Sequence, residues 1–260
     1  MSKMLPILRD LQSRFALVLE AKTDMQRYLR RMRKTPFEYE YSILQHLASN
    51  GRSVIDVGAN RGQSIEAVRL YHKQVAIHSF EPSGILSEKL SHRYASDNLI
   101  SIKNLALGSQ VSSEKLYVPY YRNFMYDGLA SFTKSRAENW LNADTVWRFN
   151  PAKRSLRKLN CNVALLDSYN LDPFFLKIHV QGFESEVLAG GEKLIEKSKP
   201  VLLLAYNEDA HFWLINRGWQ KFRYYEGRLK FLDKPDPELY NCIYLNPSHT
   251  KHSSLIRKLS

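Results

Sequence analysis

From Arg52 onward, short apolar runs alternate with stretches whose apolar residues recur every three or four positions. This is the pattern of strands and amphipathic helices that builds a parallel sheet covered on both faces. The runs predict strands near residues 53–57, 75–80, 99–104, 174–180 and 200–205. Between them, a helix over 63–72 would bury Ile65, Val68 and Tyr71, and a helix over 184–196 would bury Val187, Leu188, Leu194 and Ile195. The pattern from Lys221 to Leu245 reads as two or three strands with turns at Glu226-Gly227 and in the segment from Pro235 to Pro237, an expected antiparallel edge. Ahead of the sheet, Leu5, Leu8, Leu11, Phe15, Leu19, Met25, Tyr28, Leu29 and Met32 lie near helical spacing over residues 4–33, with basic residues between them. A further helix, Glu38 to Ala48, is expected to stop at Asn50-Gly51.

One stretch breaks the alternation. Residues 119–160, with YYRNFMYDG, ENW, VWRFN and KRSLRK, are too long for an ordinary connection between sheet elements. Long ordered connections above strand ends carry substrate contacts, and aromatic faces beside Arg and Lys suit sugar rings with anionic groups or stacked bases. The plainer alternative is an excursion that covers a sheet edge. The domain reading is therefore a helical extension over 1–37, a main domain over 38–248 carrying the basic aromatic insertion, and a basic tail over 249–260.

Charge sharpens this division. The 260 residues carry a net charge of +12. Residues 1–34 hold nine Lys/Arg against three acids, residues 119–160 eight against three, and residues 249–260 three against none, which leaves the remainder near −2. The additions, not the sheet, would then meet an acidic partner such as an anionic glycan, a lipid head group or RNA, or else form a solvated basic surface. Helix 4–33 has two competing destinations: an anionic membrane surface, or packing on the main domain or on a second copy in a homo-oligomer. Its scattered apolar positions favour packing. No run of about 18 apolar residues occurs and the first residues lack the apolar block and cleavage site of a signal peptide, so a cytoplasmic location is expected. Cys161 and Cys242 lack metal-ligand spacing and read as buried thiols.

The chemistry gathers at VIDVGANRGQS, Val54 to Ser64. Apolar residues run into Asp56, and Gly58, Asn60 and Gly62 follow two apart before a helical pattern opens, as a buried strand does when it turns tightly into a helix. Glycines let the backbone approach a ligand, and helix N–H groups can face an anion or polar group. About 20 residues on, Glu81 ends the run VAIHSF, where a carboxylate can accept both hydroxyls of a ribose. GANRG lacks the third glycine of a dinucleotide turn at the expected offset.

The order DVGANRG, FEPS, NLALG, LLDSY, LKIHVQGFESEVLAGG and NCIYL, over roughly residues 38–246, resembles the FkbM family of S-adenosylmethionine-dependent methyltransferases. The resemblance implies a Rossmann-like class I methyltransferase sandwich, α/β with a seven-stranded, mostly parallel sheet, here with an N-terminal helical addition. It implies S-adenosylmethionine as cofactor, with Asp56, Gly58, Asn60 and Gly62 around its methionine portion, Glu81 at the ribose and Asn104 at the adenine. Within LKIHVQGFE, strand alternation puts Lys177 and His179 on one face, with His179 at the strand's C-terminal end, where ligands of open α/β sheets collect. Family members commonly carry Asp in place of His179 and often Glu near Ala205. Because carboxylates are missing at these places, no metal is expected.

A His there suits removal of a hydroxyl proton near neutral pH. The expected catalytic set is His179 as general base, with Lys177 and Gln181 orienting the acceptor. The expected reaction is O-methylation of a hydroxyl, with family resemblance favouring a sugar in a glycan, glycolipid or secondary metabolite, and the basic insertion an anionic one. RNA methylation is disfavoured because no RNA-binding module is recognisable. A non-catalytic S-adenosylmethionine-binding scaffold is the other alternative. DPFF at Asp172 and NPSH at Asn246 read as turns, and Ser131 as a loop serine.

Overall fold

The computed structural model describes residues 4–14, 16–233 and 241–260, without the side chains of residues 4, 5, 12 and 16–23. The expected roles of Leu5, Phe15 and Leu19, and the turn from Pro235 to Pro237, lie outside this description. Along the chain the strands are β1 (Ser53–Val57), β2 (Ile77–Phe80), β3 (Ile100–Lys103), β4 (Ala106–Leu107), β5 (Ser112–Tyr121), β6 (Phe124–Met125), β7 (Arg154–Ala164), β8 (Pro173–Ile178), β9 (Val201–Ala205), β10 (Gln220–Tyr225), β11 (Arg228–Phe231) and β12 (Asn241–Leu245). The α-helices are α1 (Met4–Arg14), α2 (Ala16–Arg33), α3 (Gln63–Tyr71), α4 (Gly84–Arg93), α5 (Lys134–Asn139), α6 (Glu184–Gly190), α7 (Glu192–Ser198), α8 (Glu208–Ile215) and α9 (Thr250–Leu259). They divide into two units. One holds the N-terminal residues through Arg33 with Ser113–Cys161, and the other holds Lys34–Ser112 with Asn162–Ser260.

The second unit is α/β, built on a mixed sheet in the order β11-β10-β12-β9-β8-β1-β2-β3. β3, β2, β1, β8 and β9 run parallel, while β12 is antiparallel to both β9 and β10, and β11 to β10. The sheet is therefore mixed, with eight strands rather than the expected seven mostly parallel ones, and its three-strand edge is antiparallel as expected. The addition is β11, returned by the two-residue turn Glu226-Gly227 with φ of +49° and +78°, a turn whose positive φ values match the twist of a hairpin.

Strands β1, β8, β9 and β12 are buried at every position because apolar side chains pack on both faces. On one face Val54, Phe175 and Leu203 meet Tyr41, Ile43, Leu44, Ile65, Val68, Leu255 and Leu259. On the other Ile55, Leu176 and Leu202 meet Val187, Leu188, Ile195, Leu214 and Trp219. The expected helix over 38–48 is a 3-10 helix over Tyr39–His46, whose Tyr39 ring stacks on Tyr224 at 5.7 Å. The expected helix over 184–196 breaks at Gly191 into α6 and α7, where a Cβ would come within 2.7 Å of the Leu166 side chain. The basic C-terminal stretch is a helix, α9, that seats His252, Leu255 and Leu259 in buried positions. Cys242 is a buried thiol in this unit.

In the first unit β5 and β6 form a hairpin with Tyr121 opposite Phe124, and β7 lies beside β5. Tyr121, Phe124, Tyr126, Leu141 and Val146 form its core, so most aromatics of the insertion serve packing. Cys161 is a buried thiol here. Helix α1 docks on this unit by its polar side. Buried Asp10 pairs with Arg122 at 3.0 Å, the Arg9 guanidinium lies 4.6 Å from the Trp140 ring centre, and Trp147 N donates to Pro6 O.

Candidate active site

The expected cofactor and catalytic residues all belong to the α/β unit, on or just after the strand ends of β1, β2, β3 and β8. The turn after β1 takes left-handed backbone at Gly58, Asn60 and Gly62, with φ of +78°, +49° and +87°. Its N–H groups are all engaged within the protein. Gly58 N and Ala59 N donate to Phe80 O at 2.9 and 3.2 Å, Asn60 N to Glu81 Oε2 at 2.7 Å, Arg61 N to Asn60 Oδ1 at 2.8 Å, and Gly62 N to Ala59 O at 2.8 Å. The turn's own donors thus tie it to β2 and to itself. A pyrophosphate, which needs such donors, is poorly served; a cationic ligand, which needs acceptors and negative charge, is not.

Negative charge is supplied by Asp56, only 1% exposed. Strand pairing sets it directly beside Lys177, and the ammonium meets Asp56 Oδ1 at 3.0 Å as an ion pair rather than an aligned hydrogen bond. The same Nζ donates to Val57 O at 3.0 Å and Gly58 O at 2.5 Å. Ser64 and Ser79 hydroxyls donate to Asp56 Oδ2 at 2.5 and 3.3 Å. Lys177 was expected to orient an acceptor. Instead its three contacts are all to β1 and the turn, because the register leaves its ammonium under the turn's carbonyls.

Glu81 is buried and accepts from Asn60 N through one oxygen and from Ser83 N at 2.9 Å through the other. Burial pushes its carboxyl up to about 7 against the lowering effect of those two N–H groups and Lys177. Each oxygen keeps a second lone-pair direction for a ribose hydroxyl. A ligand that donates there favours the ionised carboxylate, so affinity should rise with pH and level off above about 7. Below that it should fall by up to about tenfold per pH unit. Equilibrium dialysis of methylthioadenosine, which carries the ribose without the amino-acid amine, reads this directly. Flat affinity through the window would remove Glu81 from the ribose, and Glu81→Gln should abolish the slope. Asn104, expected at the adenine, donates through Nδ2 to Glu81 O and Pro82 O at 3.0 and 3.1 Å, holding the loop after β2.

His179 follows β8 and donates its backbone N–H to Val57 O at 3.1 Å. Its Nε2 lies 3.2 Å from Gln181 Nε2; with the amide as donor, Nε2 is the ring's acceptor atom. Burial, and next the Lys177 ammonium, push the imidazole down to about 3, so it is neutral near physiological pH. Gln181 and Gly182 turn the chain with φ of +54° and +96°. Glu184, buried in the first turn of α6, accepts from Val180 N and Gly182 N at 3.0 and 2.9 Å and fixes this loop.

Sequence reasoning passed over Glu184, whose signal was a Glu three residues after a Gln-Gly turn, and the serines that hold Asp56. It also passed over Glu38. That carboxylate, raised by burial, is hydrogen-bonded by Asn241 and lies within electrostatic reach of Lys177. Asn241 pairs in register with Ala205, where the family often has Glu.

The glycines of NLALG and LAGG touch each other. A Cβ on Gly190 would sit 1.8 Å from Gly108 O, so this pair packs α6 against the loop after β4. Asp172 pairs with Arg52 ahead of β8, Asn246 Oδ1 accepts from Ser248 N, and Ser131, in the other unit, accepts from Thr133 N. A cavity of about 460 Å³ lies between α9, Arg52, Phe174 and Lys199 and contains none of the expected site residues. Among the described residues no three His, Cys, Asp or Glu gather as a metal site.

An open α/β sheet with a glycine turn after one strand and a buried carboxylate after its neighbour is an arrangement in which a nucleoside can be held. Residues 56–234 match the model of the Methyltransferase FkbM domain, and the chain belongs to that family of methyltransferases. Similar solved structures include methyltransferase FkbM from Methylobacillus flagellatus KT, at 17% identity and a TM-score of 0.48 over 79% of this chain and 47% of that one. Others are precorrin-6y C5,15-methyltransferase from Geobacter metallireducens GS-15, at 13% identity and 0.38 over 80% and 86%, and an S-adenosylmethionine-dependent O-methyltransferase from Thermotoga maritima, at 10% and 0.34 over 83% and 68%. The chain thus spans about half the length of the first of these. No curated protein matches it. The family uses S-adenosylmethionine, and the turn fits it: its backbone donors are engaged, and of its two buried carboxylates Asp56 pairs with Lys177 while Glu81 is held by backbone N–H groups.

Proposed function

We propose that the protein transfers a methyl group from S-adenosylmethionine to a hydroxyl oxygen, that of a sugar in a glycan, glycolipid or secondary metabolite. The observation that carries this reading is the carboxylate-bearing turn with its donors engaged, beside a neutral His179 whose Nε2 accepts. S-adenosylmethionine supplies an electrophilic methyl on a sulfonium. Asp56 and the turn hold its charged portion, Glu81 takes the ribose, and Lys177 positions the turn. His179 Nε2 receives the hydroxyl proton. A resting imidazole held so low would be a weak base, but the positive charge it gains appears as the sulfonium charge beside it is lost, which eases its protonation in the transition state. The Gln181 amide holds that lone pair in the free protein, so the hydroxyl takes its place on Nε2 and Gln181 turns to orient the acceptor.

Glu38 is the competing base, favoured by its hydrogen bond to Asn241, which pairs with Ala205 in the ladder. A panel of neutral and acidic oligosaccharides with labelled cofactor decides between them. Loss of the base should lower kcat by about 10²–10⁴-fold with cofactor affinity unchanged. His179→Ala should show this loss and Glu38→Gln should not, and kcat at saturating cofactor should stay level as pH falls, whereas a Glu38 base would lose activity as its carboxylate, raised by burial, takes up a proton. Cofactor binding without turnover on any acceptor would favour the scaffold reading. The net charge of +12 supports an acidic sugar as acceptor. Methylation of neutral acceptors as fast as acidic ones, without salt dependence, counts against that.

A further inference from the structure

The N-terminal helices are amphipathic in the reverse sense for a soluble fold. Helix α1 turns Asp10 and Ser13 inward, both buried, and is held by the Arg122–Asp10 ion pair and by Arg9 on Trp140. Its apolar residues Ile7, Leu8 and Leu11 point outward. In α2, Met25, Tyr28, Leu29 and Met32 are also exposed. At about 100° per residue these four share one arc of roughly 100°. Across both helices the seven side chains are 40–67% exposed. Scattered exposed apolar residues need no explanation, but seven on two successive helices, gathered on one arc of each, do. By the same angle Arg31 and Arg33 flank the stripe on α2 and Arg14 flanks it on α1, while Arg27 and Arg30 lie on the opposite arc.

We propose that α1 and α2 form a docking surface for an anionic lipid bilayer, with the apolar stripe lying in the head-group boundary and the basic residues meeting lipid phosphates. Charge decides against the obvious competitor, a second copy of the chain. Residues 1–34 carry nine Lys/Arg against three acids, so two such surfaces repel each other, whereas anionic lipid neutralises them. Contact is peripheral: no described helix is long and apolar enough to cross a membrane. An apolar stripe plus basic charge supplies the two signals that interfacial binding requires. This inference does not rest on the methyl-transfer reading.

The test is flotation of the full chain with phosphatidylcholine vesicles, with and without phosphatidylglycerol, alongside sedimentation velocity of the protein alone. Binding should need phosphatidylglycerol and weaken with salt. Arg31→Glu with Arg33→Glu should reduce it by about fivefold for each positive charge removed, roughly 25-fold together or more. Met25→Ser, Tyr28→Ser and Met32→Ser combined should reduce it by about tenfold or more. All five positions are away from the core, and an unchanged melting profile shows that the variants fold. No binding to anionic vesicles overturns the proposal, as does binding that the serine variant retains in full. A dimer that the serine variant dissolves assigns the stripe to a second copy instead, and equal, serine-insensitive binding to RNA assigns the charge to nucleic acid; either result overturns it too.

Discussion

Replacing Lys177 by Met should destabilise the protein by about 3–5 kcal/mol, the usual cost of leaving one member of a buried ion pair without the other. Asp56 would keep only the Ser64 and Ser79 hydroxyls, and the carbonyls of Val57 and Gly58 would lose their common donor. Chemical denaturation measures the loss. A desolvated carboxylate without its cation prefers the proton, so the variant should be more stable at mildly acidic pH than above neutrality, with the deficit growing as pH rises. Lys177→Met combined with Asp56→Asn should recover part of the stability, because removing both charges removes the mismatch, and the coupling energy of the cycle isolates the pair. Cofactor affinity should fall with the single variant because the turn loses its anchor. A lysine that only oriented the acceptor would behave otherwise: stability and cofactor affinity would stay as they were, and KM for the acceptor alone would rise.

The reason this role escaped the sequence lies in register. VIDV, FFLKI and VLLLA are continuous apolar runs, as strands buried on both faces must be, so the parallel half of the sheet could be read within one or two residues at most ends. Which residue of one run lies beside which residue of another is set by packing between segments more than a hundred positions apart, and nothing local in LKIHV announces that Lys177 stands against Asp56. Glu38 and Asn241 meet for the same non-local reason. β11 is short, with one buried residue in four, which is why the pattern from Lys221 to Leu245 allowed two strands as well as three. The N-terminal helices show a different limit. Helical spacing of apolar residues implies a face that buries, and here that face is the outward one, a fact visible only once Asp10 is seen under Arg122. Glycine spacing was legible as a turn, yet its N–H groups proved to be engaged with Phe80 and Glu81 rather than turned toward a ligand.

Gly58→Ala should combine a backbone clash with left-handed strain, and the protein contains its own control. Gly51 and Gly58 share a φ of +78°, so a side chain costs both about the same 1–2 kcal/mol of left-handed backbone strain. At Gly51 an added Cβ meets nothing within 4 Å, whereas at Gly58 it lies 2.1 Å from His179 O. That oxygen belongs to backbone at the end of β8 and cannot rotate away. The turn or the strand end must move, and both carry site residues: Val57 and Gly58 on one side, held by Lys177, and His179 and Gln181 on the other. Gly51→Ala should therefore lower the unfolding free energy by about 1–2 kcal/mol and leave methylthioadenosine binding unchanged. Gly58→Ala should cost on the order of 3 kcal/mol or more and weaken binding at least about a hundredfold, since the pocket wall itself is displaced. The difference between the two variants, measured by denaturation and dialysis side by side, isolates the close approach of β1 and β8 from backbone strain. Equal costs in the two would mean that this approach is loose enough to yield, and that the site tolerates a wider turn than the packing of Gly58 on His179 requires.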